Sequence, residues 1–170
     1  TGTGRMIELF ARDAERFVAL DNSVEMLRLA RAKLGGLEDG AAVQAHTEIV
    51  LGDFNTLPFP DGSFDTILFH QVLHYAQHPE RAIAEAARVL APDGRLLVVD
   101  FAAHDLEELR SVHAHARLGF TDESISRAFA GAGLVPARTE TLAGGKLAVK
   151  IWLGQRGQSA SESPKLRIVA

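Results

Sequence analysis

The sequence predicts an α/β fold: a mostly parallel sheet with helices on both faces and an antiparallel hairpin at its C-terminal end. Three features carry that prediction. Short apolar runs alternate with stretches of helical periodicity along the chain. A Gly-x-Gly turn, Thr1-Gly2-Thr3-Gly4-Arg5, opens the first helical stretch. The last two apolar runs are joined by Ala143-Gly144-Gly145, a hairpin signal.

Taken in order, Met6, Ile7, Leu9 and Phe10 form the apolar side of a first helix, with Glu8 and Arg12 polar. Phe17-Val18-Ala19-Leu20 is a buried strand ending in Asp21. Asn22 and Ser23 cap a second helix, whose Met26, Leu27, Ala30 and Leu34 recur at helical spacing until Gly35-Gly36 stops it. Residues 37–46 read as a loop, and Thr47 to Leu51 as a strand running into Gly52-Asp53-Phe54. Leu57 to Ser63 is a turn-rich connector, followed by a strand over Phe64 to Phe69.

Beyond His70, Pro79 heads a helix carrying Ile83, Ala86, Ala87, Val89 and Leu90, which Pro92-Asp93-Gly94 ends. Leu96 to Asp100 is a further buried strand, and Asp105 to Arg117 has the pattern of an amphipathic helix. Thr121-Asp122-Glu123 caps a helix that runs to Ala132 and stops at Gly133. Leu134 to Leu142 and Lys146 to Leu153 are the closing strands. The first 153 residues therefore read as one domain, with 154–170 as a mobile tail or short extra strand.

Composition narrows the function. With 46% hydrophobic and 24% charged residues and no apolar run of membrane-spanning length, the chain reads as an ordinary globular protein, and the cytoplasm is its expected location. The absence of cysteine removes disulfides and thiolate chemistry. A net charge of −4 argues against direct nucleic-acid binding by this chain.

Two glycines one apart let a backbone approach a ligand, and an acid at the carboxyl end of the next strand can accept ribose hydroxyls, so Gly2, Thr3, Gly4 and Asp21 form a candidate nucleoside site. A dinucleotide fingerprint wants a third small residue where Ile7 stands, which weakens a pyrophosphate ligand. An ordinary glycine turn and simple capping by Asp21 or Asp53 are the competing readings.

The run of motifs resembles the class I S-adenosylmethionine-dependent methyltransferases, and within them the small-molecule type related to quinone biosynthesis. The resemblance rests on Gly2-Thr3-Gly4, on Leu20-Asp21-x-Ser23-x-x-Met26-Leu27, on Gly52-Asp53 with Leu57-Pro58-Phe59 and Ser63-Phe64-Asp65, and on Arg88-Val89-Leu90-x-Pro92-x-Gly94. It implies a Rossmann-like sheet of seven strands, the last antiparallel, and S-adenosylmethionine as cofactor. It implies that Gly2, Thr3 and Gly4 meet the cofactor's amino-acid end, Asp21 with Asn22 beside it the ribose, Met26 and Phe54 the adenine faces, Asp53 the adenine amino group, and His70 the methionine portion. The first central strand of such a sheet is missing ahead of Thr1, so it is expected either upstream or from another segment.

More narrowly, Asp100-Phe101-x-x-His104-Asp105 and His115-x-Arg117-Leu118-Gly119-Phe120 resemble methyltransferase domains fused behind arsenic-repressor-type winged-helix regulators. That resemblance implies an upstream DNA-binding domain and, as an alternative to methyl transfer onto a small-molecule acceptor, a module that senses S-adenosylmethionine or S-adenosylhomocysteine. A homodimer stays open.

His104 and His115 are the candidate catalytic residues, lying on a polar stripe with Glu108 and Ser111 if 105–117 is helical. A solvated helix face is the competing reading. His70, His74 and His78 are spaced by four but lack an accompanying carboxylate, so no metal is expected.

Overall fold

The computed structural model describes residues 1–37, 39–109, 115–142, 147–157 and 167–169. Helix α1 (Arg5–Phe10) leads through a 3₁₀ turn to strand β1 (Arg16–Asp21). Helices α2 (Val24–Gly35) and α3 (Gly40–Gln44) precede β2 (Thr47–Leu51). Strand β3 (Phe64–His70), helix α4 (Pro79–Val89) and strand β4 (Leu90–Phe101) follow. Helix α5 (Asp122–Gly131) and strands β5 (Leu134–Leu142), β6 (Val149–Arg156) and β7 (Arg167–Val169) complete the described chain.

The strands form one sheet in the order β2-β1-β7-β3-β4-β6-β5. Neighbours from β2 to β4 are parallel, and β6 runs antiparallel to both β4 and β5. The α/β sheet with its antiparallel end is the fold predicted; the tip of the hairpin, 143–146, lies outside the described residues.

Strand alternation sorts the core into two layers. Phe17 and Ala19 of β1 pack with Met6, Ile7, Ala30, Leu34 and Val43 on the face covered by α1 to α3. Val18 and Leu20, one position off, pack on the other face, where Ile83, Ala86, Ile125 and Phe129 of α4 and α5 cover the sheet. A continuous apolar run such as Phe17 to Leu20 is what a strand buried on both faces requires.

Of the two sources expected for the central strand, another segment of this chain supplies it: β7 pairs parallel with β1 through Arg16 to Val18 and with β3 through Thr66 and Ile67. Without it the facing edges of β1 and β3 would lose their backbone partners. Residues 37–46 are not simply a loop, because α3 forms there and buries Val43 at 2% exposure. Thr47 fastens the exit by donating its hydroxyl to the Val43 carbonyl at 2.7 Å.

Helix ends follow the sequence signals. Ser23 accepts from the Met26 amide and Thr121 from the Ser124 amide, satisfying amides that lack a partner within the helix. The connector after β2 is pinned to α4 by Arg88, whose guanidinium donates to Glu85, Asp61 and the carbonyls of Leu57 and Phe59. Glu85 in turn accepts from the Leu57 amide at 2.8 Å.

Candidate functional site

Parallel strands bring their carboxyl ends to one edge of the sheet, and there a cavity of about 340 Å³ opens. Its polar end is made by Thr1, Gly2, Thr3, Asp21 and Asn22. Leu20, Phe54, Leu57 and Phe69 supply an apolar stretch, and His70 and Gln71 a further polar one.

Asp21, the last residue of β1, organises the polar end. Its Oδ2 accepts from the Gly2 amide at 2.8 Å and its Oδ1 from the Ser23 amide at 2.9 Å. The carboxylate thus ties the glycine turn to the start of α2. Partial desolvation raises its proton affinity, but the Ser23 and Gly2 amides and the amino group of Thr1 outweigh that and hold it below the usual carboxylate range.

The glycines do different jobs. Gly2 has φ +55° and faces open space, so the backbone is bare toward the cavity it lines. Gly4 has φ +86° and is buried, and a Cβ there would lie 3.0 Å from the Ala30 Cα, so it lets α1 pack against α2. Gln71, at the cavity wall, has φ +50°, a left-handed conformation uncommon for a residue with a Cβ, and its amide donates to the Val99 carbonyl at 2.7 Å.

Of the residues expected at a cofactor, Gly2, Thr3, Asp21, Asn22, Phe54 and His70 line this cavity. Gly4, Met26 and Asp53 do not. Met26 sits in the first turn of α2, and Asp53 is exposed with Oδ1 accepting from the Asn55 backbone and side-chain amides. Arg5, paired with Glu8 at 2.9 Å, and Val169 of β7 also line the cavity, and sequence reasoning missed both. Arg5 is the polar neighbour of Gly4 and could have been singled out. Val169 carried no signal.

A nucleoside bearing an amino-acid arm fits these walls. The volume falls within the ~300–1,000 Å³ common for small-ligand pockets. A carboxylate has about four lone-pair sites, and the Gly2 and Ser23 amides with the Thr1 amino group occupy three of them, so Asp21 keeps room on Oδ1 for one hydroxyl donor.

A second group of residues lies on the β4 side. Asp100 is fully buried near the end of β4. Its Oδ2 accepts from the Leu73 and His74 amides at 3.0 and 3.2 Å, and its Oδ1 from the Phe101 amide at 2.8 Å and from His74 Nδ1 at 2.7 Å. A carboxylate at that distance fixes the ring hydrogen of His74 on Nδ1. The His115 ring lies 4.1 Å from that of His74, centroid to centroid, with Tyr75 and Phe101 alongside.

In the described parts of the predicted helix over 105–117, Glu108 and Leu109 are helical, whereas 105–107 and 115–117 are not, and 110–114, including Ser111, lie outside the described residues. His104, just before it, is not helical. Backbone pairing competes with a helix here: Ala103 donates to the Phe120 carbonyl, His104 to Leu118 and Arg117 to His74. His115 is nonetheless buried at 8% exposure beside the His74–Asp100 pair, and His104 is half-buried with its ring against Phe101. His74 and Asp100 were missed as a pair because they are 26 residues apart in sequence.

Comparison with known proteins agrees with this architecture. Residues 1–98 match the family model described as a methyltransferase domain. The chain is 35% identical over 127 residues to the ubiquinone/menaquinone biosynthesis C-methyltransferase UbiE of Enterobacter sp. (strain 638), covering 69% of this chain and 49% of that protein. It is 31% identical over 112 residues to a demethylmenaquinone methyltransferase of Renibacterium salmoninarum, covering 66% and 43%. The chain thus spans about half the length of these relatives or less.

Among solved structures, the [4+2]-cyclase SpnF superposes with a TM-score of 0.77 at 18% identity, over 93% of this chain and 73% of that one. The geranyl diphosphate C-methyltransferase of Streptomyces coelicolor A3(2) does so at 0.74 and 14%, over 91% and 68%. At such identities the likeness is one of fold.

Proposed function

Because the chain belongs to the methyltransferase-domain family, whose cofactor is S-adenosylmethionine, we propose that it binds this cofactor in the cavity at Asp21 and transfers a methyl group to a small-molecule acceptor. The observation that carries the reading is the Gly2 amide held on Asp21 at the carboxyl end of β1, at the polar end of a cavity of nucleoside size.

When bound, S-adenosylmethionine supplies an electrophilic methyl group on a sulfonium. The chain's own residues then have three tasks. Gly2, Thr3 and the one spare lone pair of Asp21 bind and orient the cofactor's polar groups. Leu20, Phe54, Leu57 and Phe69 exclude water from its apolar flank. The third task, taking a proton from an acceptor hydroxyl or activated carbon, belongs to imidazole, and we assign it to His115 and His104. For His115 the neighbourhood supports this, since its ring lies 4.1 Å from that of His74, which Asp100 holds in place. The relatives' names, with C-methylation in ubiquinone and menaquinone biosynthesis, make quinols the first acceptors to try.

Calorimetric titration with S-adenosylmethionine and S-adenosylhomocysteine tests the first half, and a product-detection screen with quinols, phenols and amines tests the second. The expected result is binding of both nucleosides and a methylated product. Binding of neither overturns the site. Binding without any turnover favours the alternative that the narrower resemblance implied, a sensory module of a regulator of the arsenic-repressor type.

A further inference from the structure

A second cavity, of about 940 Å³, lies between the start of α4, the 116–121 segment and α5, and shares no lining residue with the first. Its charge runs against that of the molecule. The chain carries a net −4, yet Arg81, Arg117 and Arg127 line this cavity against one carboxylate, Glu80. The other acids nearby are engaged: Glu123 pairs with Arg127 at 2.6 Å, and Asp122 accepts from Lys150 and the Trp152 indole.

No salt bridge to Arg81 or Arg117 is found among the described residues, although the Arg117 charge reaches Glu80 and helps to lower that carboxylate's proton affinity. Arg117 spends one nitrogen on the Gln77 carbonyl at 2.9 Å. Two guanidinium groups so placed focus a positive potential on the cavity mouth.

Ala84, Leu118 and Ala128 give the cavity an apolar wall that remains accessible.

We infer that this cavity is a binding site for a small organic oxyanion, a carboxylate or phosphate ester on an apolar body. The guanidinium groups of Arg81 and Arg117 meet the anionic head, and the accessible apolar wall at Ala84, Leu118 and Ala128 receives the body. The site is separate from the cavity at Asp21 and lies beyond the cofactor assignment.

Four probes of one shape test the inference by calorimetry on the full chain: 1-naphthoate, 1-naphthyl phosphate, 1-naphthalenemethanol and 1-naphthylmethylamine. Both anions should bind at least about tenfold more tightly than the alcohol, with no measurable binding of the amine. The double variant Arg81→Glu/Arg117→Glu should lose about a hundredfold of the anion affinity. Both arginines are exposed, so its thermal melt should match the parent; Arg81→Gln/Arg117→Gln replaces it if it does not.

Failure of either anion class to bind, equal affinity for the alcohol, or unchanged anion affinity in the arginine variants would overturn the site. Displacement of the anions by S-adenosylhomocysteine would do so as well, since it would move them to the first cavity, where Arg5 is the available cation.

Discussion

His74 and Asp100 meet inside the protein with Nδ1 and Oδ1 2.7 Å apart, neither side chain more than 3% exposed. The carboxylate also holds the amides of Leu73 and His74, so one buried group sets both the path of the turn after β3 and the orientation of the imidazole. Buried charges persist where their lone pairs are filled, and Asp100 fills its own with four donors.

Asp100→Ala should therefore destabilise the fold by about 3–5 kcal/mol, because it leaves buried donors without an acceptor. Asp100→Asn keeps the shape and part of the acceptor capacity, and should cost about 1–3 kcal/mol. Urea unfolding measures both. A loss below about 1 kcal/mol for the alanine variant would show that the turn is held by other contacts.

The Asp21 contacts give a binding prediction. Removing the carboxylate with Asp21→Ala should weaken S-adenosylmethionine by about 1.5–3 kcal/mol, through lost charge-assisted hydrogen bonds and a loosened Gly2 turn. Unchanged calorimetric affinity would remove Asp21 from the site.

How much of this was readable before the fold was in hand follows from sequence distance. Gly2, Asp21 and the caps at Ser23 and Thr121 are local signals, because turn and cap chemistry is written within a few residues. The cofactor-side cavity was legible to the extent that strand ends were. Met26 and Asp53 do not line the cavity, since a motif gives order along the chain and not which way a side chain faces. Three residues such as Arg167–Val169 carry too little periodicity to decide between tail and strand, and the open backbone edges of β1 and β3 explain why they become a strand. The His74–Asp100 pair and the second cavity depend on the β3–β4 register and on α4 meeting α5, which no local pattern encodes.

Two glycines in one turn should respond differently to alanine. Gly4→Ala combines a left-handed backbone with a Cβ pressed to 3.0 Å from the Ala30 backbone, and should cost about 2–4 kcal/mol. Gly2→Ala meets open space and has only the backbone strain, about 1–2 kcal/mol. Thermal or urea unfolding orders the two. Equal losses would mean that packing of α1 on α2 tolerates the extra methyl.

His70 supplies a pH prediction whose sign can be worked out. Partial desolvation at the cavity wall pushes its basicity below that of an ordinary histidine, and the Asp100 charge only partly restores it. Between the ordinary value of about 6.5 and the lowered folded value, the unfolded chain binds more protons than the folded one. Stability from this residue is therefore retained above pH ~6.5 and falls as pH drops through that window. The cavity inherits the same dependence. Near neutral pH the ring is uncharged and leaves a cationic ligand undisturbed, whereas protonated His70 would repel a sulfonium. The affinity ratio of S-adenosylmethionine to its uncharged-sulfur product should hold steady from pH ~8 to ~6.5 and decline below, and His70→Gln should flatten the decline. Calorimetry across that range, with the His70 ring carbon followed by NMR, measures both. A ring titration centred at or above pH ~6.5 would overturn the lowered basicity, and a pH-independent ratio alongside a lowered midpoint would remove His70 from the neighbourhood of the sulfonium.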